Sequence, residues 1–88
     1  MEIEYDITKS NKNFKERGLS FELAHDFEWD DAVYTIDFRQ IKKELRFNSI
    51  GYIGKRLFFI TCTLRANFIR IISLRKANKR EVDKYAKT

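Results

Sequence analysis

The stretch "RLFFITCTLRANFIRIISLRK", residues 56–76, decides the fold of this chain. It holds two runs rich in β-branched and aromatic residues, 56–65 and 68–74, joined by a short link. Such runs are typical of β-strands, and a short link predicts antiparallel pairing. A third run of this kind, 45–53, comes just before, and Gly54-Lys55 fits a two-residue turn with glycine first. The C-terminal half is therefore predicted to be an antiparallel β-meander.

The rest of the chain carries the signals of five shorter elements. Aspartate, serine and asparagine are favoured at helix N-caps, glycine is favoured just after a helix, and apolar–polar alternation indicates a strand. The elements are a strand at Ile3 and Tyr5, a helix from Asp6 to Gly18, a second helix in "FELAHDFE" capped by Ser20, a strand in "DDAVYTIDF", and a last helix opened by a capping box of Asn78 and Glu81. We predict one α+β domain, residues 1–88, with the helices packed on one face of the sheet.

The charge of the chain is unevenly distributed. Residues 55–88 hold ten lysines or arginines and two acids, whereas residues 1–54 hold eight basic and eleven acidic residues. A basic half favours a polyanionic partner, because each neutralised phosphate releases counterions. The alternative is a soluble domain that is basic without binding nucleic acid.

Several classes of protein are disfavoured by the composition. The longest uncharged runs, 47–54 and 57–64, are too short to span a bilayer, and the N-terminus is acidic where a signal peptide is basic. Cys62 is the only cysteine, so one chain offers neither a disulfide framework nor a cysteine-based metal site. We expect a cytoplasmic protein without a metal ion or cofactor.

The strand at 56–65 has one apolar and one polar face. Alternate residues of a strand share a face, so Phe58, Ile60, Cys62 and Leu64 lie together, and this apolar set is expected to pack against the helices. The other face becomes polar toward its end, where it carries Arg65. The partners of Arg65 on that face depend on the turn that follows.

Two registers are compatible with the link to the next strand. A two-residue turn at Ala66-Asn67 would place Arg65 on the face of Arg70, whereas a loop one residue longer would place it with Ser73 and Arg75. Neither link residue is glycine, so the tight turn is not strongly encoded. We favour the longer loop, because it places Arg65 with Ser73 and Arg75 on one polar face, and Arg70 then points the other way.

An arginine-lined concavity is one outcome of this register. Arg46, on the preceding strand, would reach the face of Arg65 and Arg75 in a simple meander, and guanidinium groups bind phosphate oxygens well. The alternative is that these arginines sit at strand ends, where they reach solvent or pair with the acidic N-terminal half.

Four segments in order, Tyr5-Asp6, "RGLSFELA", "ELRFNSIG" and residues 56–85, together resemble motifs of the BrnT family of type II toxins. Tyr5-Asp6 stands where the family has Trp-Asp, and Lys9 and Asn13 follow at the family's offsets. The segments "RGLSFELA" and "ELRFNSIG" resemble two further family motifs in order. The segment "RLFFITCTLRANFIRIISLRKANKREVDKY" resembles the family's last strands and its final helix.

This resemblance implies a small RelE-like α+β fold and a metal-independent endoribonuclease that inhibits translation and growth. It also implies a BrnA-type antitoxin, contact with DNA only through that antitoxin, and a heterotetramer. The positions that match the family's functional arginines are Arg65 and Arg75, with Arg46 and Ser73 as supporting catalytic candidates. The expected RNA contacts are Lys76, Lys79 and Arg80.

The chain departs from the family pattern at two places. Glu16-Arg17 replaces a Lys-His pair, and Leu64 replaces the acid before Arg65. These departures keep a second reading open, in which the chain is a catalytically degenerate module that binds RNA or the antitoxin. Arginine is too basic to remove a proton from RNA. The candidates for the general base are Glu44, Lys76, Tyr52 and His25.

Overall fold

The computed structural model describes residues 2–40 and 42–88 and contains a five-stranded sheet with helices on both faces. The α+β prediction is confirmed. Among the described residues, no helix combines the length and the apolar character needed to cross a membrane. The elements in chain order are β1 (Glu2–Glu4), α1 (Ile7–Arg17), two 3₁₀ helices (Phe21–Asp26 and Trp29–Asp31), β2 (Val33–Asp37), a third 3₁₀ helix (Phe38–Gln40), β3 (Arg46–Ile53), β4 (Arg56–Arg65), β5 (Phe68–Lys76) and α2 (Lys79–Ala86).

The predicted boundaries of α1 and α2 are confirmed by their caps, whereas Ser20 precedes the Phe21–Asp26 helix without a capping hydrogen bond from its side chain. The Asp6 carboxylate accepts hydrogen bonds from two backbone N–H groups in the first turn of α1, and Gly18 ends that helix with φ of +72°. At α2, Asn78 and Glu81 form the reciprocal capping box. The two-residue turn at Gly54 is also confirmed, because Ile53 pairs with Arg56 across it.

The predicted antiparallel meander is confirmed for β2 to β5, and the N-terminal strand β1 makes the sheet mixed. The strand order is β1-β5-β4-β3-β2, and β1 pairs with β5 in parallel, whereas the other pairs are antiparallel. Ile3 of β1 pairs with Ile69 of β5 and packs against the core. The parallel strand therefore covers an edge of β5 that would otherwise expose unpaired backbone groups.

The second predicted helix is a 3₁₀ helix rather than an α-helix. Its apolar residues, Phe21 and Ala24, are followed at the same spacing by Phe27, and all three are buried. A 3₁₀ helix has three residues per turn, so side chains three residues apart line up on one side. The spacing of three thus places the whole apolar stripe against the sheet.

The hydrophobic core lies on one face of the sheet, which we call the core face. Ile60, Cys62, Ile71 and Leu74 on this face are buried beneath the N-terminal helices. Gly51 allows close approach, because a Cβ there would lie 2.7 Å from the Phe27 ring. The prediction that the apolar set of β4 packs against helices is confirmed for the buried members of that set.

Helix α2 lies on the opposite face, which corrects the prediction of helices on one face only. The Tyr85 ring meets the Tyr52 ring edge-on, with centroids 5.5 Å apart. Ile50 and Leu57, which share the face of Tyr52, are also buried. The face opposite the core therefore has a small apolar cluster of its own beside α2.

The turn between β4 and β5 has two residues, so the predicted longer loop is wrong. Arg65 pairs directly with Phe68, and Ala66 adopts the left-handed conformation with φ of +49°. Such a backbone costs a non-glycine residue about 1–2 kcal/mol. The long ladder between β4 and β5 offsets this cost.

A β-bulge then shifts the register within the same hairpin. Cys62 pairs with Ile71, but Thr61 pairs with Ser73, so Ile72 is an extra residue in β5. The bulge reverses the face of every later residue in the strand. Arg70 and Arg75 therefore lie on one face, and the prediction that Arg70 points the other way is wrong.

Candidate functional site

Four arginines from three strands share the face opposite the core face, and we call it the arginine face. Arg46 pairs with Thr63, which pairs with Arg70, so these three residues form one row across the sheet. Arg65 lies next to this row, toward the β4–β5 turn. Arg75 lies on the same face nearer the C-terminal end of β5, where it pairs with Phe59. The two-residue turn and the bulge together bring Arg65, Arg70 and Arg75 to one face.

The arginine face has an open end and an end beside α2. Below the Arg46–Arg70 row lies a polar row of Asn48, Thr61 and Ser73, in which the Thr61 hydroxyl donates to Asn48. Arg75 belongs to the next row, opposite Phe59. Phe59 is four residues from Thr63 along β4, so the outer rows are roughly 13 Å apart. The structure therefore groups Arg46, Arg65 and Arg70 at the open end and places Ser73 and Arg75 further along.

Glu44 joins two of the arginines at the open end. Arg46 Nε donates to Glu44 Oε1 at 3.0 Å, and Arg65 Nη2 lies 3.9 Å from Glu44 Oε2. Arg70 contacts Glu4 at 3.3 Å. A guanidinium has five N–H donors, so these contacts leave most of the donors available. The Arg65 side chain is 57% exposed and is the most accessible of the four.

Arg75 is held more tightly than the arginines of the open end. It donates two hydrogen bonds of 2.8 Å to the Glu81 carboxylate of α2, and its guanidinium lies 4.1 Å from the centre of the Phe59 ring. Hydrogen bonding to Arg75 lowers the pKa of Glu81, and the same contact raises the pKa of Arg75. Arg75 thus links β5 to α2.

The Arg75–Glu81 pair is expected to stabilise the fold at neutral pH. Glu81→Gln removes the charge but keeps a side chain that can accept a hydrogen bond from the N-cap. Because hydrogen bonds between charged groups are the stronger ones, we expect the free energy of unfolding to fall by about 1–2 kcal/mol. Urea denaturation at pH 7 measures this change.

The difference between wild type and Glu81→Gln depends on pH. Because the folded-state pKa of Glu81 is lowered, its contribution is complete above the ordinary pKa of 4.5 and is lost as pH falls through the folded-state pKa. The gap should therefore close in acid. Asp83→Asn is the matched control, since Asp83 forms an exposed pair with Lys79, and it should change stability by less than about 0.5 kcal/mol. A gap that stays constant down to pH 2 contradicts this role.

The Asp37 carboxylate also lies on the arginine face, and sequence reasoning did not single it out. Asp37 pairs with Arg46 across β2 and β3 and is buried. Hydrogen bonds from the Arg39 side chain and backbone lower the pKa of Asp37 to about 2. A carboxylate with so low a pKa is a poor proton acceptor at neutral pH.

The candidate RNA contacts lie in different places. Lys76 pairs with Phe58, whose side chain belongs to the core face, so Lys76 points away from the arginines. Lys79 and Arg80 are exposed on α2, and Lys79 pairs with Asp83 at 3.1 Å. The structure therefore groups Lys79 and Arg80 on α2, apart from Lys76.

The four candidates for the general base are also separated. His25 is exposed beside Ile3 and Trp29, residues that pack against the core. Tyr52 is on the arginine face, but its ring packs against α2. Since Lys76 points to the core face, Glu44 is the candidate that contacts the arginines of the open end.

Comparison with known protein families assigns this chain to a functional class. A family model described as "Ribonuclease toxin, BrnT, of type II toxin-antitoxin system" matches residues 5–81. The chain belongs to the BrnT family. Its family is one of ribonuclease toxins, and a type II system implies an antitoxin partner. No curated protein matches the chain.

The two departures from the BrnT pattern lie outside the arginine face. Leu64 pairs with Ile69 on the core face, so an acid at position 64 would not lie beside Arg65 on its face. Glu16 and Arg17 end α1, where Glu16 lies 3.9 Å from Lys12. Neither departure removes a side chain from the arginine face.

Sequence reasoning placed Arg70 on the face away from Arg75, because it did not include the bulge in β5. The sequence signal of this bulge is the apolar pair Ile71-Ile72, which interrupts strict alternation in β5. Ile71 is buried in the core, and Ile72 lines a cavity of about 240 Å³ with Phe21 and residues of α1. Two consecutive side chains therefore point toward the helices. This doublet is the feature that could have revealed the face of Arg70.

Proposed function

We propose that this BrnT-family toxin is a metal-independent endoribonuclease of the cytoplasm that cleaves RNA on the open end of its arginine face. The observation that carries the proposal is the convergence of Arg46, Arg65 and Arg70 around one row of the sheet, with Glu44 between two of them. Three guanidinium groups give a positive site for a phosphodiester, because their forked donors match phosphate oxygens.

The proposed reaction needs no group beyond the side chains and the RNA. A base removes the proton of a ribose 2′-OH, and the 2′-oxygen attacks the adjacent phosphorus. The bond from phosphorus to the 5′-oxygen then breaks, and that oxygen takes up a proton. The products carry a 2′,3′-cyclic phosphate and a 5′-hydroxyl. Arginines stabilise the additional negative charge that develops on the phosphate oxygens in between.

The roles of the residues follow from their positions on the arginine face. Arg65 and Arg46 bind the scissile phosphate, and Arg70 supports them from the other side of Thr63. Glu44 accepts the proton, because a phosphate that competes for the two guanidinium groups releases this carboxylate beside the ribose.

The remaining candidates are proposed to contact the RNA further from the scissile bond. Ser73 and Arg75 lie on the same face, one and two rows away from Arg70. Lys79 and Arg80 extend the basic surface over α2, and Lys76 contacts RNA that passes the end of β5. Such contacts add affinity without sequence specificity.

The partner of this toxin is proposed to be a BrnA-type antitoxin, through which alone the complex contacts DNA. The two proteins are proposed to form a heterotetramer, and the toxin is proposed to have a RelE-like fold. Free toxin inhibits translation and growth by cleaving RNA. These proposals rest on membership in the BrnT family, since the family implies an antitoxin.

Controlled expression in a bacterial host tests the proposal. Induction of the chain alone should stop growth and degrade cellular RNA within one generation, because an unopposed ribonuclease acts on every transcript it can reach. Co-induction of the reading frame beside its gene should restore growth. Growth curves and northern blots of abundant transcripts measure both effects.

The other candidate function gives a different result in this experiment. A catalytically degenerate module would form a complex with the antitoxin and bind RNA in a salt-dependent way, without growth arrest or RNA loss. The placement of Leu64 and Glu16 away from the arginine face favours the active enzyme. Normal growth with a soluble, folded chain would contradict the proposed function.

A further inference from the structure

The core face has an apolar groove that its own helices leave open. The groove has a volume of about 230 Å³. Cys62 is one of its lining residues, and burial raises the pKa of the Cys62 thiol to about 11, so this side chain is neutral at pH 7. Two residues on its walls, Tyr34 and Leu64, are 46% and 52% exposed. The residues that line the apolar groove are Trp29, Tyr34, Phe47, Cys62, Leu64 and Ile69.

The apolar groove is continuous across the sheet. Ile36 pairs with Phe47, and Phe47 pairs with Cys62, while Leu64 pairs with Ile69 on the neighbouring strand. Ile36 is also 43% exposed, so exposed apolar side chains from β2 and β4 flank the same region. A contiguous apolar surface rimmed by charged residues is typical of a site for another protein.

The charge at one rim of the groove indicates the chemistry of the occupant. The β2–β3 connection carries Lys42 and Lys43, both exposed. The acids that flank this connection are already paired, Asp37 with Arg39 and Glu44 with Arg46. The rim at this connection is therefore basic, whereas the rim beside Tyr34 carries Asp30. The groove favours a partner segment whose apolar residues are followed by acidic ones at the end next to this connection.

The groove is also next to the arginine face. Leu64 and Arg65 are consecutive residues on opposite faces of β4, and both are exposed at the β4–β5 turn. A segment that lies in the groove and passes over this turn reaches Arg65. A protein that neutralises a ribonuclease gains from such a path, because an acidic side chain on Arg65 competes with the RNA phosphate.

We propose that the apolar groove binds a segment of the antitoxin with apolar anchor residues and an acidic flank that extends to Arg65. This inference rests on the proposed toxin function, because it takes the antitoxin as the partner. The apolar anchors supply affinity in the groove, and the acidic flank blocks the open end of the arginine face.

The test compares two aspartate substitutions of exposed apolar residues in the full chain. Ile36→Asp places a charge beside the groove, where Ile36 is 43% exposed, whereas Phe14→Asp places the same charge on α1, where Phe14 is 58% exposed. The probe is the antitoxin encoded beside the gene. Ile36→Asp should weaken co-purification with the antitoxin at least tenfold and should prevent rescue of growth, and Phe14→Asp should do neither.

Equal binding by the two variants overturns the proposal, and so does the absence of any complex with the wild-type chain. A dimer of the free chain that Ile36→Asp dissociates, with antitoxin binding intact, also overturns it in favour of a second copy as occupant. Circular dichroism monitors folding, and Tyr34→Asp, at a residue that lines the groove, replaces Ile36→Asp if the latter does not fold. Failure of the toxin function appears separately, as a wild-type chain that binds the antitoxin but does not arrest growth.

Discussion

Arg65→Ala is expected to lower the rate of RNA cleavage by about 100-fold or more. Its guanidinium is the most exposed of the four on the arginine face, and the ion pair that it forms with Glu44 is 3.9 Å long. Arg65 is therefore the arginine most ready to bind the phosphate. Removal of one charged donor at a site where negative charge develops typically costs two to three orders of magnitude in rate. Initial rates on a labelled oligoribonucleotide measure the loss.

Arg56→Ala is the matched control for this prediction. Arg56 is exposed at the other end of β4, and its side chain belongs to the core face. Each variant loses one arginine, so Arg56→Ala has the same net charge as Arg65→Ala. It should cleave RNA within about threefold of wild type, because charge far from the site contributes mainly to encounter. Both positions are exposed, so both variants should fold normally. Equal losses in the two variants would show that general charge, and not the arginine face, determines the rate.

Glu44→Gln is expected to lower the turnover rate by about 100-fold or more while RNA binding is retained or becomes tighter. The substitution removes the proposed proton acceptor, and general-base catalysis contributes two to four orders of magnitude. It also removes a negative charge beside Arg46 and Arg65, which favours binding of a phosphate. Single-turnover kinetics at saturating enzyme separate the chemical step from binding.

Glu4→Gln provides the comparison on the same face. Glu4 contacts Arg70 at 3.3 Å, so this variant also removes a carboxylate from an arginine of the open end. If Glu44 acts as the base, Glu4→Gln should stay within about threefold of the wild-type rate. Similar losses for both variants would mean that the carboxylates act by holding the arginines in place, and the assignment of Glu44 as base would be wrong.

The local signals of the sequence predicted most of the elements, because their causes are local. Asp6 and Gly18 bound α1, Asn78 opens α2, and Gly54 allows the left-handed turn between β3 and β4. Each of these residues acts on the backbone within a few positions of itself. The alternation of β4 likewise identified its polar face, since the strand has no extra residue of its own.

The register of the β4–β5 hairpin could not be predicted in the same way. Ala66 has no intrinsic preference for a left-handed backbone, and it takes this conformation because the two strands pair along their whole length. The bulge at Ile72 lies in the part of β5 that faces α1, so it too depends on residues distant in the sequence. These two long-range features decide which face Arg70 occupies, so the composition of the arginine face depended on the tertiary structure.

The arginine face carries its own acidic partners. Glu44 contacts Arg46, Glu4 contacts Arg70, and Glu81 holds Arg75 with two hydrogen bonds. RNA therefore competes with carboxylates rather than with water alone. This competition is weakest at Arg65, where the ion pair is longest among the four arginines. The exchange of carboxylate for phosphate is expected to begin there.

The most direct test of the central claim is an NMR titration of the arginine side-chain Nε–H signals with a 2′-O-methyl oligoribonucleotide, which cannot be cleaved through the 2′-oxygen. The account predicts that the signals of Arg46, Arg65 and Arg70 shift together and saturate at one equivalent, and that those of Arg17 and Arg56 stay within the general salt effect. Saturable shifts at Arg17 on α1, with Arg46, Arg65 and Arg70 unchanged, would contradict the assignment of the arginine face as the RNA site.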